Sequence, residues 1–148
     1  MAATVNAYAT NEELKKRLGD RIFDEIYQYV YSEGVKADLE AAAAEIDGSV
    51  SARYVLPVTG ERSRALLNDW NLTLAEERAY ARAAGSGFSE KVKDRVAVVR
   101  KSLELIREGA FKLPDAEEVG SGGGSGGPGS ALFEADTPVF TRERMRGF

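Results

Sequence analysis

"VKADLEAAAAEIDGSV", Val35 to Val50, decides the fold class. Its apolar positions Val35, Leu39, Ala42, Ala43, Ile46 and Val50 recur at steps of three and four residues. That spacing lines up one face of an α-helix. The run AAAAEI adds high intrinsic helix propensity, because alanine loses no side-chain entropy on helix formation. The small side chains also permit close approach of a neighbouring helix.

Reading outward toward the C-terminus, "RYVLPVTG" interrupts the helix with Pro57 and Gly60. Residues 61–83 resume a helical pattern, with Leu66, Trp70, Leu74, Glu77 and Ala81 along a row that is less cleanly apolar. "AGSGF" reads as a turn, with Ser89 as a cap for the next helix. Val92, Val96, Val99, Leu103 and Ile106 form that helix's core-facing stripe. Gly109 suits the left-handed residue that closes a helix, and Pro114 prevents resumption. Toward the N-terminus, "DRIFDEIYQYVYSEG" reads as one helix capped by Asp20, with Ile22, Phe23, Ile26, Tyr27 and Val30 inward. "ATNEELKKRLG" carries a capping box at Thr10 and Glu13, and Gly19 ends its turn. No stretch of the body alternates as a half-buried strand does. The expected fold is all-α, a small bundle of about four main helices with a short extra one at the start.

At 148 residues the chain has room for one modest core and an appendage. No apolar run reaches the roughly 18 residues of a membrane span, and "MAATVNAYAT" lacks the basic start and apolar stretch of a signal peptide. Cysteine and histidine are both absent. Disulfides, thiolate metal sites and cysteine nucleophiles are therefore excluded, and the usual neutral-pH general base is missing. Adjacent carboxylates such as Glu12/Glu13, Asp24/Glu25 and Glu76/Glu77 point in different directions on a helix and make no acid–base pair. Trp70, Tyr27, Tyr29 and Tyr31 are expected to serve core and interface packing rather than a binding platform, although aromatics alone do not discriminate. No catalytic, cofactor-binding or metal-ligating residue is assigned, and the chain is expected not to be an enzyme. The three arginines and three acids beyond Val119 cancel, so the net charge of −4 belongs to residues 1–118. A mildly acidic body disfavours a nucleic-acid-binding face.

After the body comes "VGSGGGSGGPGS", Val119 to Ser130. Gly122, Gly124 and Gly127 fit G-x-G-x-x-G literally, but no strand precedes and no helix follows, so a phosphate loop is rejected. The composition is that of a flexible tether, spanning about 20 Å as a coil and about 40 Å fully stretched. The tether leads to "ALFEADTPVFTRERMRGF". This gives three parts: a helical domain at 1–118, a Gly/Ser linker at 119–130 and an extended docking arm at 131–148. The candidate partner-binding residues are Phe133, Val139, Phe140, Arg142, Arg144, Met145, Arg146 and Phe148. The aromatics are the anchors, with Phe140 foremost, and the alternating arginines fall on one side of an extended segment, where they can meet acidic groups.

"YATNEELKKRLG", then "EIDGSVSARYVLPV", then "LEL" and "IREGAFKLP", and a closing "FTRERMRGF", taken in that order, resemble the Mu-like family of tailed-phage neck proteins, the head–tail connectors or adaptors. The span "RALLNDWNLTLAEERAYARAA" matches least. The resemblance implies a virion structural role, with no cofactor and no membrane. Such adaptors form a homo-oligomeric ring, commonly of twelve copies, beneath the portal protein. They join the portal to the next neck or tail protein, and DNA passes through the lumen without specific binding. The expected location is the virion neck, after synthesis in the host cytoplasm. The alternatives are another completion factor such as a tail terminator, a small helical DNA-binding regulator, and a carboxylate- or lysine-dependent enzyme.

Overall fold

Local sequence builds the first turn as expected. In the computed structural model, which describes residues 8–83 and 88–120, helix α1 runs Asn11–Leu18. The Glu13 N–H donates to the Thr10 hydroxyl at 3.3 Å, and the Thr10 N–H donates to the Glu13 carboxylate at 2.8 Å. That second bond is the main cause holding the Glu13 carboxyl below its ordinary pKa. Gly19 ends the helix at φ +87°. It is also the N-cap of α2, Asp20–Tyr27, so Asp20 is the first helical residue and makes no side-chain cap bond. The capping role expected for Asp20 is therefore corrected.

The next break also differs from the sequence reading. The chain turns at residues 28–30 and α3 spans Tyr31–Val50, with Gly34 inside the helix. Gly34 is buried, and a Cβ there would collide with the Val30 side chain. The turn lets Tyr27 face back toward α3, where its hydroxyl donates to Asp38 at 2.8 Å. Asp38, 6% exposed, also receives Nε and Nη2 of Arg82 at 2.7 and 3.0 Å. A buried carboxylate is stable there because both oxygens have donors and a cation is adjacent. Of the stripe expected on α2, Phe23 and Tyr27 are buried, their rings 5.0 Å apart, while Val30 is exposed.

The remaining helices are α4, Glu61–Arg82, and α5, Phe88–Glu108. All the stripe residues expected on α3 and α5 are buried, from Val35 to Val50 and from Val92 to Ile106. Helix α5 begins one residue ahead of Ser89, which therefore lies within its first turn rather than before it. Among the described residues there is no strand, only one antiparallel bridge between Tyr54 and Glu118. The all-α expectation holds.

Helix α4 is the centre of the bundle and packs against each of the other four helices. This explains its unclear row. Residues 70–76 are buried in succession, whereas Ala81 at the end of the expected row is exposed. Over this enclosed stretch the helix has no solvent-facing side, so its polar residues need partners inside the protein. Asn71 accepts the Ala9 N–H at 3.0 Å and donates to the Leu39 carbonyl at 3.1 Å, tying the entry segment and α3 to α4. Thr73 donates to the Asp69 carbonyl and accepts from Arg17 of α1. Glu76, 3% exposed, accepts from Arg95 of α5 at 3.3 Å and faces Arg17 at 3.9 Å. Burial and the neighbouring Glu76 carboxylate together push the Tyr80 hydroxyl pKa up.

Replacing Asn71 with Ala leaves the Ala9 N–H buried without its partner, while the Leu39 carbonyl keeps its place in the α3 ladder. We expect a loss of roughly 1–3 kcal/mol, the cost of one unsatisfied buried group. Urea unfolding followed by circular dichroism measures it, and an unchanged midpoint would contradict the bonding described.

Candidate interaction surface

The two helix exits that carry the family resemblance, "ARYVLP" after α3 and "IREGAFKLP" at the end of α5, meet in space. Arg53 donates through Nε to the Arg107 carbonyl and through Nη2 to the Glu108 carbonyl, both at 3.1 Å. These are among the carbonyls that a helix leaves without internal partners at its C-terminus. Gly109 then reverses the chain at φ +84°, and a Cβ there would lie 3.2 Å from the Arg53 guanidinium. The following segment, residues 110–119, folds back as a strap. The Leu113 N–H donates to the Tyr54 hydroxyl at 2.9 Å in a buried bond. On either side of the Tyr54–Glu118 bridge, Val55 N–H donates to Glu117 and Val119 N–H to Arg53, each at 2.8 Å.

The strap also completes α4. Asp115 accepts the N–H groups of Arg62 and Ser63 at 2.9 and 2.8 Å, as an N-cap residue would, but from 52 positions away in the chain in the case of Ser63. Its own N–H donates to the Ser63 hydroxyl. Gly60 is required because a Cβ would collide with Asp115. Hydrogen bonding from Ser63, side chain first, with the backbone N–H groups of Ser63 and Arg62, holds the Asp115 carboxyl below its usual range.

Val119, assigned to the linker from sequence, is thus bonded into the body, and the described chain ends at Gly120. Phe133, Val139, Phe140, Arg142, Arg144, Met145, Arg146 and Phe148 all lie outside the described residues. The described body carries two surface clefts. A groove of about 560 Å³ runs between α3 and α5, past Glu45, Ser49, Arg100 and Arg107. Its carboxylates are already matched, since Arg100 bonds Glu45 at 2.8 Å and Lys101 bonds Glu104 at 2.9 Å. A second cleft of about 310 Å³ opens between α1, α4 and α5, floored by Trp70 and Val99 with Val98 at its edge. The aromatics divide: Tyr27 and Trp70 are core, with Trp70 5.8 Å from the Phe111 ring, while Tyr29 is 89% exposed.

Sequence reasoning missed Arg53, Tyr54 and Asp115 as structural residues. Nothing local in "ARYVLP" assigns Arg53 or Tyr54 a role, and Asp115 follows the helix-stopping Pro114. Their partners are more than 50 residues away, beyond any local cap pattern. Among the described residues, no group of three or more acidic, His or Cys side chains is placed to hold a metal. No described helix is long and apolar enough to cross a membrane.

A protein-family model described as Bacteriophage Mu, Gp36 matches residues 8–126. The match spans the helical body and the strap and stops within the glycine stretch, so "FTRERMRGF" falls beyond it. No curated protein and no solved structure matches.

Two substitutions test the strap. Tyr54→Phe removes the acceptor of a buried N–H, and a loss of roughly 1–3 kcal/mol is expected in urea unfolding. Asp115→Ala uncaps α4 and lowers the unfolding midpoint at neutral pH. Because the folded-state pKa of Asp115 is depressed, its contribution is present above about pH 4, the ordinary Asp value, and is lost as pH falls through the lower folded value. The difference between wild type and Asp115→Ala therefore shrinks in acid; a difference that grows in acid would contradict the cap.

Proposed function

This chain belongs to the family described as Bacteriophage Mu, Gp36, and from that membership we propose that it is a head–tail connector of a Mu-like phage or prophage. Copies form a ring below the portal protein, commonly of twelve, and join it to the next neck or tail component. The role is structural and involves no reaction chemistry. The observation that carries the reading is the family match over the whole described body. The order of sequence motifs supports it, as does the architecture: a helical body with an apolar, arginine-bearing segment attached through a Gly/Ser/Pro spacer.

In this reading the arm docks on a neighbouring copy or on the portal. Phe133, Val139, Phe140, Met145 and Phe148 are its apolar anchors, and Arg142, Arg144 and Arg146 pair with carboxylates. Burying one Phe contributes about 1.5–3 kcal/mol, so several anchors offset the cost of ordering the spacer. The strap gives the arm a fixed origin, because residues 113–119 are bonded to the body at several points. The acidic body suits a conduit, since a net negative lumen does not grip passing DNA.

Deleting residues 131–148 is expected to leave the helical circular dichroism spectrum intact while the yield of infectious particles falls. Shortening the spacer at 121–130 is expected to act the same way once the reach is too small. Normal particle numbers from the truncated chain would sink the docking role. Failure of the purified chain to bind portal protein in any form would sink the connector reading.

A further inference from the structure

The cleft between α1, α4 and α5 has the chemistry to receive the arm. Trp70 and Val99 are 6% and 4% exposed at its floor, while Val98 at its lip is 67% exposed, among the most exposed large apolar residues of the described chain. Its two guanidinium groups are committed: Arg17 bonds Asp69 at 2.7 Å, and Arg95 bonds the buried Glu76 at 3.3 Å. Asp94 is different, being exposed and without an ion pair among the described residues. The cleft therefore offers an apolar hole with an available carboxylate beside it. The α3–α5 groove is larger, but Glu45 and Glu77 already hold Arg100 there.

The arm carries the complementary pattern at a fitting spacing. In "VFTRER", Phe140 is followed two residues later by Arg142, about 7 Å along an extended chain. Asp94 lies one helical turn from Val98, about 6 Å along α5. An aromatic ring between Trp70 and Val98 thus brings the Arg142 position level with Asp94.

Chain length decides whose arm this is. The bridge at Tyr54–Glu118 and the Arg53 bonds to Arg107 and Glu108 put the departing chain beside the C-terminal end of α5. From Glu108 back to Val98 is ten residues of helix, about 15 Å. Phe140 follows Gly120 by twenty residues, which as a Gly-rich coil span about 25 Å. The cleft of the same chain is within reach, and a spacer of this kind gives a local concentration near the millimolar range. A second copy at micromolar concentration cannot match that.

We propose that in the free chain the arm folds back on its own body, with Phe140 seated in the α1–α4–α5 cleft and Arg142 paired with Asp94. The free subunit then keeps its apolar arm covered until a partner competes for it. The idea requires neither ring nor portal, so it stands or falls separately from the connector reading.

The chain has no cysteine, which makes disulfide trapping clean. The full-length double variant Val98→Cys/Thr141→Cys is oxidised beside a control, Tyr29→Cys/Thr141→Cys. The expected result is an intrachain disulfide forming about tenfold or more faster than in the control, at a rate independent of protein concentration, as for a tethered contact. Adding Phe140→Ser should return the rate to that of the control. Equal rates for the Val98 and Tyr29 pairs would overturn the proposal, showing random collisions only. It is equally overturned if a mixture of the single variants Val98→Cys and Thr141→Cys gives interchain dimers as readily as the double variant closes on itself, since the occupant is then a second copy. Retention of fast closure with Phe140→Ser would overturn the assignment of Phe140 as the anchor.

Discussion

The pairing of the α3 exit with the strap after α5 is the constraint on which the rest of the body depends. One short segment, Arg53 to Val55, satisfies the last carbonyls of α5, accepts a buried N–H from the strap, and forms the single bridge of the described fold. The strap in return caps α4 through Asp115. Two helix ends, the C-terminus of α5 and the N-terminus of α4, are thereby completed by residues distant in sequence. Helix ends leave backbone groups without intrahelical partners, and Arg53 and Asp115 supply them here, so this end of the bundle closes without any long-range sheet. The same pairing fixes where the chain leaves the body.

At the other level of the structure, α4 imposes its own demand. Enclosing a helix on several sides buries apolar area but strands its polar residues. Asn71, Thr73 and Glu76 meet that demand by bonding to the entry segment, α1, α3 and α5. These bonds are specific in direction, unlike the apolar contacts around them, and so they fix the register of the helices against one another. Asp38, with Tyr27 and Arg82, does the same between the end of α2, α3 and the end of α4.

Much of the fold was legible because it is written locally. The i, i+4, i+7 stripes of α3 and α5 were read directly, as were the Thr10–Glu13 box and the closing glycines Gly19 and Gly109. Legibility failed where a distant partner decides the outcome. The span read as one helix from Asp20 breaks at residues 28–30, and its last residues, Gly34 included, belong to α3. Asp20 had the right residue type for a cap, yet Gly19 occupies that position. The α4 row blurred because neighbours on several sides remove the apolar–polar contrast that periodicity detects. Of the proposed interaction surface, the spacer and arm were legible only as composition, and beyond Gly120 they lie outside the described residues. The strap and the cleft were not, since Asp115, Tyr54 and Val98 acquire their roles only from residues far away in sequence.

Sequence, fold and family converge on a small helical body of the Bacteriophage Mu, Gp36 family, for which a connector role is our proposal. The most direct measurement is cryo-electron microscopy of the neck of particles from the phage that encodes this chain. The expected result is a ring between head and tail whose subunits accept the five helices and the strap of residues 8–120, with further density leading from Gly120 to a neighbouring protein. A neck without such a ring, or particles that contain the chain elsewhere or not at all, would contradict it.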